Sequence, residues 1–335
     1  MTNTYYRPLV QNGPTVAPGA VPLAGGPFWF SHAERLSRTL ASEIISAEQI
    51  PDRIRNQLSA PRAPVVGLGM DRPHVMGIIN VTPDSFSDGG QHHNPDRAMQ
   101  AGLAMVAAGA TILDIGGEST RPGATEVPAE DEIARICPVI RALRRHTGIP
   151  ISVDTRKAPV ARAALDAGAT LVNDVSGFTF DADLAPLCAQ KGSPVCTMHA
   201  QGDPATMQAD PRYDNVLLDV YDALEQQVLT LVSAGVEGAS IIIDPGIGFG
   251  KTQDHNLDLL RNISLFHGLG CPILLGVSRK RFIGTIAAAP DAASRAPGSI
   301  ALGLAALDEG VQILRVHDVA ETVQAVRLWA AVRQR

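Results

Sequence analysis

The sequence predicts an α/β fold: a (β/α)8 TIM barrel in residues 71–335, preceded by an N-terminal extension in residues 1–70. From about residue 74, short apolar runs alternate with Ala- and Leu-rich stretches of helical periodicity. Nearly continuous apolar strands are typical of a parallel sheet covered by helices on both faces. Eight such units in roughly 250 residues fit a closed barrel. A doubly wound open sheet is less consistent, because it usually has fewer strands and no strand here is followed by a GxGxxG turn.

The predicted strands are short, and each runs into a polar residue. They span residues 74–80, 111–117, 151–155, 171–176, 194–199, 240–245, 272–278 and 311–317. The helices between and after them are predicted at residues 95–109, 129–146, 157–167, 182–191, 214–234, 255–265, 296–309 and 318–333. The first of these helices has Pro at its start and Gly at its end, which is the preferred arrangement.

The extension has a different composition. Residues 1–26 are rich in Pro and Gly and are expected to be loose or extended. Ser31 is predicted to cap a helix that runs to Ile44. The pattern Ser46-x-x-Gln49 resembles a capping box before a second helix. The extension is therefore predicted to be partly helical, and its sequence indicates no function.

The composition excludes several classes of protein. The chain has 335 residues, 45% of them hydrophobic, and a net charge of −6. A general nucleic-acid surface is not expected from an acidic chain with 4% aromatic residues. No secretory signal or membrane-spanning run is visible, so we expect no membrane partner. The cysteines form no CxxC pair, which indicates reduced thiols in a cytoplasmic protein; they are Cys137, Cys188, Cys196 and Cys271.

The polar strand ends are the main functional signal. In barrels of this kind the active site lies at the carboxyl ends of the strands. In chain order these ends supply Asn80, Glu118 with Thr120 and Arg121, Asp154, Asn173 with Asp174, His199, Asp244, Ser278 with Arg279 and Lys280, and Arg315 with His317. One polar strand end shows only where a strand leaves the core. Eight at the same face predict a ligand site.

This predicted ring is acidic in the middle and basic at the end. Asp154, Asn173 and Asp244 suit a flat heterocycle that carries several hydrogen-bond donors and acceptors. The last two strands contribute a cationic cluster that suits phosphate or diphosphate: Arg279, Lys280, Arg281, Arg315 and His317. Asn80 lies next to the last strand around the ring and is a candidate ligand for Mg²⁺ held mainly by phosphate oxygens. The residues therefore predict a heterocycle joined to a diphosphate.

Some patterns have simpler interpretations. Residues 245–252, PGIGFGKT, resemble a phosphate-binding loop, but Pro245 stands where that motif requires Gly. The glycines are better explained as a tight loop that brings Phe249 and Lys251 to the pocket. His199 is a candidate both for lining the pocket and for a structural role. Met198 is a candidate both for barrel packing and for contact with the ligand.

Eight segments together resemble the dihydropteroate synthase family of folate biosynthesis. They are NVTPDSFSDGG at 80–90, GGESTRPGA at 116–124, SVDT at 152–155, LVNDVSG at 171–177, MHAQGDPATMQ at 198–208, DPGIGFGK at 244–251, GVSRKRFIG at 276–284 and RVHDV at 315–319. The resemblance covers about residues 74–330. It implies a homodimeric (β/α)8 transferase that condenses 6-hydroxymethyl-7,8-dihydropterin diphosphate with 4-aminobenzoate and uses Mg²⁺.

The resemblance also implies roles for matching residues. The pterin would be held by Asp154, Asn173, Asp244 and Lys280. The diphosphate and Mg²⁺ would be held by Asn80, Arg315 and His317. The 4-aminobenzoate site, where sulfonamides compete, would contain Thr120, Arg121, Pro122, Phe249 and Lys280. Catalytic roles are implied for Asp88 in a closing first loop, and for Asp154, Lys280, Arg315 and His317. Some members have Ser where this chain has Arg281, so the contact to the aminobenzoate carboxylate is left open.

Two other functions fit parts of the pattern. Methyltetrahydrofolate–corrinoid methyltransferases share the acidic pterin pocket but need no diphosphate site. A non-catalytic paralogue would keep the barrel, but its loops would be expected to erode first. The SRK, RVH and STRP segments favour the synthase over the methyltransferase.

Overall fold

The computed structural model describes residues 4–13, 16–82, 95–119, 126–202 and 207–333. Within these ranges the N-terminal extension contains five short strands and one α-helix. They are β1 (Thr4–Pro8), β2 (Val21–Pro22), β3 (Trp29–Phe30), β4 (His32–Ser37), β5 (Glu43–Ser46) and α1 (Asp52–Ser59). Strand β4 pairs antiparallel with β1 on one side and β5 on the other, and β2 pairs with β3.

The helix predicted from Ser31 to Ile44 is wrong, because this stretch forms β4 and the start of β5. The prediction depended on apolar residues four positions apart, yet Leu40 is 72% exposed and Ile44 is 65% exposed. The side chains that are buried are Ala33 and Ile45, which pair across the two strands. Strand pairing therefore outweighs the local helical pattern.

The capping box predicted at Ser46 and Gln49 is confirmed. Gln49 Oε1 accepts a 2.9 Å hydrogen bond from the backbone N–H of Ser46, and a single 3-10 turn follows. Helix α1 begins only at Asp52, because Pro51 disfavours a helical conformation at the residue before it.

Eight parallel strands in the described ranges form the predicted barrel. They are β6 (His74–Asn80), β7 (Ile112–Gly116), β8 (Ile151–Asp154), β9 (Leu171–Asp174), β10 (Val195–Met198), β11 (Ile241–Asp244), β12 (Leu274–Leu275) and β13 (Ile313–Val316). Neighbours along the chain are neighbours in the sheet, and β13 pairs with β6. A parallel bridge between Ile243 and Ile273 joins β11 to the start of β12 and closes the barrel.

The predicted helices surround this sheet. They are α2 (Pro95–Ala108), α3 (Ala129–His146), α4 (Ala158–Ala167), α5 (Leu184–Lys191), α6 (Val216–Ser233), α7 (Gln253–Arg261), α9 (Ala296–Asp308) and α10 (Val319–Arg333). A short helix α8 (Arg281–Ile286), not predicted from the sequence, precedes α9. No helix in the described ranges is both long enough and apolar enough to cross a membrane.

The extension packs against the outside of the barrel. Tyr5 donates a 2.9 Å hydrogen bond to Asp222 of α6, and Ser264 donates one of 3.0 Å to the carbonyl of Pro8. Arg62 donates a 2.9 Å hydrogen bond to the carbonyl of His267. The extension is thus attached by buried polar contacts. The division of the chain at residue 70 stays a prediction.

An apolar layer closes the amino-terminal end of the barrel. Its members point inward from seven strands and are Met76, Ile112, Leu171, Cys196, Ile242, Leu274 and Ile313. Val65 and Met70 of the extension pack against them. We call these nine residues the apolar floor. It excludes water from the lower barrel, so any ligand site inside the barrel must lie above it.

Candidate active site

A layer of buried polar side chains lies directly above the apolar floor. Because strand side chains alternate between faces, the residues two positions beyond the floor residues also point inward. On β7, β9, β11 and β13 those residues are Asp114, Asn173, Asp244 and Arg315. Together with Asp154 at the end of β8, they form what we call the polar layer. Met198 occupies the same position on β10 and is 3% exposed.

Arg315 joins two acids of the polar layer. Its Nε donates a 2.6 Å hydrogen bond to Asp114 Oδ2, and its Nη2 donates one of 2.6 Å to Asp154 Oδ2. The sequence suggested that this guanidinium faces an anionic ligand together with the other cations. In the structure it instead compensates two buried carboxylates. Burial lowers the pKa of Arg315, but the negative charges of Asp114, Asp154 and Asp244 outweigh this effect and raise it above its ordinary value.

Asp114 is a site residue that the polar strand ends do not predict. It is fully buried in the middle of β7, and its Oδ2 also accepts a 3.2 Å hydrogen bond from Asn173 Nδ2. Its other oxygen, Oδ1, has no hydrogen-bond partner among the described residues. The signal was present in the sequence, because an acid between Ile112 and Gly116 faces the same side of the strand as they do. A buried acceptor oxygen without a partner is suited to a donor on a ligand.

Burial makes Asp154 and Asp244 of the polar layer easier to protonate. The pKa of Asp154 is raised to about 7, mainly by desolvation and against the opposing effect of Arg315. Desolvation also raises the pKa of Asp244, whose Oδ1 accepts a 2.7 Å hydrogen bond from the N–H of Gly246. The low-dielectric pocket therefore raises the pKa values of both acids, and shifted pKa values are common at functional sites.

Phe249 and Lys280 face each other at the rim above the polar layer. The Nζ of Lys280 lies 4.0 Å from the centre of the Phe249 ring, which is a cation–π contact. Gly248, with φ of 82°, allows this approach, because a Cβ there would lie 2.9 Å from Lys280 Cδ. Phe249 follows β11 and Lys280 follows β12, so the structure brings together two residues that were predicted for the 4-aminobenzoate site.

The ends of β12 and β13 are connected to each other. Ser278 Oγ lies 3.0 Å from Nδ1 of His317 and accepts a 3.1 Å hydrogen bond from its backbone N–H. Arg279, expected to belong to the cationic cluster, is instead paired with the carboxylate of Asp318. Arg281 is exposed. The predicted cluster is therefore divided, with Lys280 at the rim and Arg279 in a structural ion pair.

Asn80 ends β6 and is half-buried. Its strand pairs with β13, which confirms that the first and last strands of the barrel are neighbours; the register sets Arg315 opposite Met76, four residues before Asn80. No cluster of three or more acidic, histidine or cysteine side chains suited to a metal occurs in the described part of the chain. Asp88, Thr120, Arg121 and Pro122, which were predicted for the first two loops, lie outside the described residues.

Two strand-end acids have structural partners. Glu118 lies 3.1 Å from Lys157 and 3.3 Å from Arg156, and it accepts a 2.9 Å hydrogen bond from the N–H of Val127. Asp174 accepts hydrogen bonds of 2.7 Å from Ser176 and from the Phe178 backbone. Both acids thus fix the start of a loop, and their place in the predicted ring reflects loop geometry.

Comparison with known proteins agrees with this geometry. Residues 76–317 match the family described as pterin binding enzyme. The dihydropteroate synthase of Escherichia coli strain K12 is 44% identical over 261 residues, which cover 78% of this chain and 92% of that protein. The dihydropteroate synthase of Bacillus subtilis strain 168 is 43% identical over 258 residues, covering 77% and 88%.

Solved structures show the same relationship. The dihydropteroate synthase of Xanthomonas albilineans with 4-aminobenzoic acid superposes with a TM-score of 0.77 at 44% identity, covering 82% of this chain and 99% of that one. The same enzyme in complex with 7,8-dihydropteroate gives a TM-score of 0.74 at 42% identity, covering 82% and 100%. The barrel, the polar layer and these matches lead to one conclusion. The chain belongs to the dihydropteroate synthase family of pterin-binding enzymes.

Proposed function

We infer that this protein is a transferase of folate biosynthesis that catalyses the dihydropteroate synthase reaction. It joins 6-hydroxymethyl-7,8-dihydropterin diphosphate to 4-aminobenzoate and releases diphosphate. The observation that carries this inference is the polar layer above the apolar floor, in which Asp114 Oδ1 has no partner among the described residues. The relatives that match nearly all of the barrel have the same named activity.

The polar layer suits recognition of a pterin ring. A pterin is flat and presents adjacent N–H and NH₂ donors, which carboxylate oxygens accept. We propose that Asp154, Asn173 and Asp244 hold the ring, that Lys280 covers its rim side, and that Met198 packs against it. The missed residue Asp114 adds a further acceptor next to Asn173.

The reaction exchanges one bond at the pterin methylene carbon. The C–O bond to diphosphate breaks, the leaving oxygen keeps the electron pair, and a C–N bond forms with the arylamine, which loses a proton. The electron-rich ring can spread the positive charge that develops at this carbon. We propose that the buried acids Asp154 and Asp244 stabilise that charge and that Asp88 joins them when the first loop closes. The arylamine is neutral near pH 7, so it needs positioning more than deprotonation.

The diphosphate is proposed to lie where β13 meets β6. Asn80 ends β6, Arg315 lies on β13 and His317 directly follows β13, the strand that pairs with β6. The amide oxygen of Asn80 is the type of hard donor that Mg²⁺ accepts, and it fits an ion held chiefly by the oxygens of the diphosphate. When bound, Mg²⁺ would supply positive charge that offsets the negative charge of the diphosphate. The three side chains orient the leaving group, and Arg315 adds to the positive potential although it is already bonded to two acids.

The 4-aminobenzoate is proposed to lie at the rim. Phe249 supplies an aromatic face and Lys280 a positive charge. We propose that Thr120, Arg121 and Pro122 of the second loop complete this subsite. A relative from Yersinia pestis has been solved as a complex with a sulfonamide drug. We propose that sulfonamides compete with 4-aminobenzoate here too, and that the protein is a cytoplasmic homodimer.

The activity test uses the purified full chain with Mg²⁺, the pterin diphosphate and 4-aminobenzoate. We expect equal amounts of 7,8-dihydropteroate and diphosphate, measured by chromatography and by a coupled diphosphate assay. Omission of either organic substrate is the control. Folded protein that forms no product would overturn the inference. Turnover by Arg315→Ala near that of the unaltered chain would overturn the role proposed for the polar layer.

The proposed homodimer is tested separately, by measuring the molar mass of the purified chain with light scattering.

A further inference from the structure

The loop that follows β11 lies directly on the chain that follows β10. This loop spans residues 245–252. Gly246 has φ of 68°, and a Cβ there would lie 1.8 Å from the carbonyl oxygen of His199. Gly250 has φ of 60°, and a Cβ there would lie 2.4 Å from the carbonyl oxygen of Gln201. Backbone therefore packs on backbone without side chains between, so small shifts in one segment are transmitted to the other.

Lys251 joins the two segments from inside. It is 3% exposed, and its Nζ donates hydrogen bonds to Nδ1 of His199 at 2.9 Å, to the His199 carbonyl at 3.3 Å and to the Phe249 carbonyl at 3.1 Å. These three acceptors use all the donor capacity of the ammonium group. No ion pair with a carboxylate is formed by Lys251 in the described part of the chain. A buried lysine held by neutral acceptors is uncommon and indicates a specific local role.

The electrostatics agree with this arrangement. Burial lowers the pKa of His199 to about 3, so its imidazole is neutral and Nδ1 accepts the hydrogen bond from Lys251. Burial also lowers the pKa of Lys251 to about 7, with Asp244 opposing the shift and Lys280 adding to it. The contact between Lys251 and His199 is therefore a hydrogen bond from the amine to a neutral imidazole.

Other side chains hold the backbone on either side of Phe249. Asn256 Oδ1 accepts a 2.6 Å hydrogen bond from the N–H of Gly248, and Tyr213 donates one of 2.7 Å to the carbonyl of Gly250. The carbonyl of Phe249 itself is bonded by Lys251. Lys251 is thus the contact that ties the aromatic residue of the rim to the end of β10.

We propose that Lys251 and His199 are positioning residues that set Phe249 for 4-aminobenzoate, an inference that rests on the proposed function. Lys251 acts through its hydrogen bond to the Phe249 carbonyl, and His199 acts through its hydrogen bond to Lys251. Loss of the amine leaves the Phe249 carbonyl and the imidazole nitrogen without their partner. The ring then shifts relative to Lys280, whereas the polar layer below keeps its own hydrogen bonds.

The test measures each substrate separately in the full chain. In Lys251→Met we expect the KM for 4-aminobenzoate to rise about tenfold, because a displaced rim weakens positioning. The dissociation constant for the pterin diphosphate, from calorimetry, should stay within about twofold. His199→Leu should likewise raise the KM for 4-aminobenzoate without changing the binding of the pterin diphosphate. His199→Asn should largely restore the KM of the unaltered chain, because the Asn side chain again offers an acceptor near the Nδ1 position. Lys191→Met, which removes a surface lysine, is the matched control.

Amide hydrogen exchange of residues 245–252 gives a second measurement that does not depend on turnover. We expect residues 245–252 to exchange faster in Lys251→Met and His199→Leu than in the unaltered chain. Exchange in the barrel strands should stay unchanged. The inference is overturned if these variants fold and neither the 4-aminobenzoate KM nor the loop exchange changes, or if both substrates are affected equally. An unaltered chain without turnover would instead refute the proposed function, and the exchange result would still decide the anchoring role.

Discussion

The guanidinium of Arg315 donates a 2.6 Å hydrogen bond to Asp114, a fully buried acid in the middle of a barrel strand. This contact connects two regions of the barrel that are 201 positions apart in the sequence. It places a compensated charge at the base of the pocket, where a low dielectric strengthens its interactions. The pair therefore links the stability of the barrel to the chemistry proposed at its mouth.

Asp114→Asn is expected to lower kcat/KM about 100-fold, equivalent to about 3 kcal/mol. The amide keeps the shape of the side chain but removes the charge opposite Arg315 and one acceptor for the ligand. Steady-state kinetics and calorimetric titration with the pterin diphosphate measure the effect. Asp166→Asn, at a surface acid on α4, is the control and should retain full activity. Asp114→Asn activity within about threefold of that control would contradict the prediction.

The pH dependence of stability should reveal Asp154. Its pKa is raised to about 7 in the folded protein, so the folded state holds a proton more tightly than the unfolded chain. The resulting stabilisation is present below about pH 4 and is lost as the pH rises toward about 7. Urea unfolding at several pH values should show a smaller decline over this range in Asp154→Asn than in the unaltered chain. Identical slopes would show that this carboxyl does not titrate as proposed.

Arg62→Met is expected to reduce the free energy of unfolding by about 2 to 3 kcal/mol. Arg62 is 8% exposed and donates hydrogen bonds to the carbonyls of Gln57, Ala60 and His267, which join the extension to the barrel. Its loss leaves the buried carbonyl of His267 without this donor. Chemical denaturation measures the change, and limited proteolysis should cut the extension faster. Arg53→Met, at an exposed arginine of α1, should show neither effect.

Gly246→Ala is expected to destabilise the protein by more than about 2 kcal/mol and to abolish activity. The new Cβ would lie 1.8 Å from the carbonyl oxygen of His199, and φ is positive at 68°. Gly148→Ala is the matched comparison, because a Cβ there meets nothing within 4 Å. Thermal unfolding of both variants measures the difference. Equal melting temperatures would show that the loop after β11 can move away from β10 without loss.

The barrel was predictable because each unit has a local signal. Apolar runs such as residues 74–80 and the helical period of residues 129–146 recur at regular spacing, and the structure reproduces the bounds of these two elements. The strand predicted at residues 272–278 is shorter, since β12 spans only Leu274–Leu275. The extension was less predictable. Leu40 and Ile44 have helical spacing, but pairing with a distant strand makes this stretch a sheet, and local periodicity does not encode that partner.

The polar layer shows the same division. Asp154, Asn173 and Asp244 were identified because each ends a strand, and the parallel order brings their ends to one face. Asp114 was missed because it lies inside a strand, although its parity places it on the inner face. The partners of Arg315 and Arg279 follow only from the tertiary structure, since a cation in the sequence is equally able to face a ligand or a buried acid.

The sequence by itself determined the barrel, the inward face of each strand and the family, because these follow from periodicity and from residue identities at fixed spacing. Only the tertiary structure decided which charges neutralise one another. It assigned Arg315 to Asp114 and Asp154, and it assigned the buried amine of Lys251 to His199 and the loop of Phe249. The physical reason is that such pairings depend on distances between residues that are remote in the chain. The interaction energy of a buried charge is determined mainly by its nearest partners.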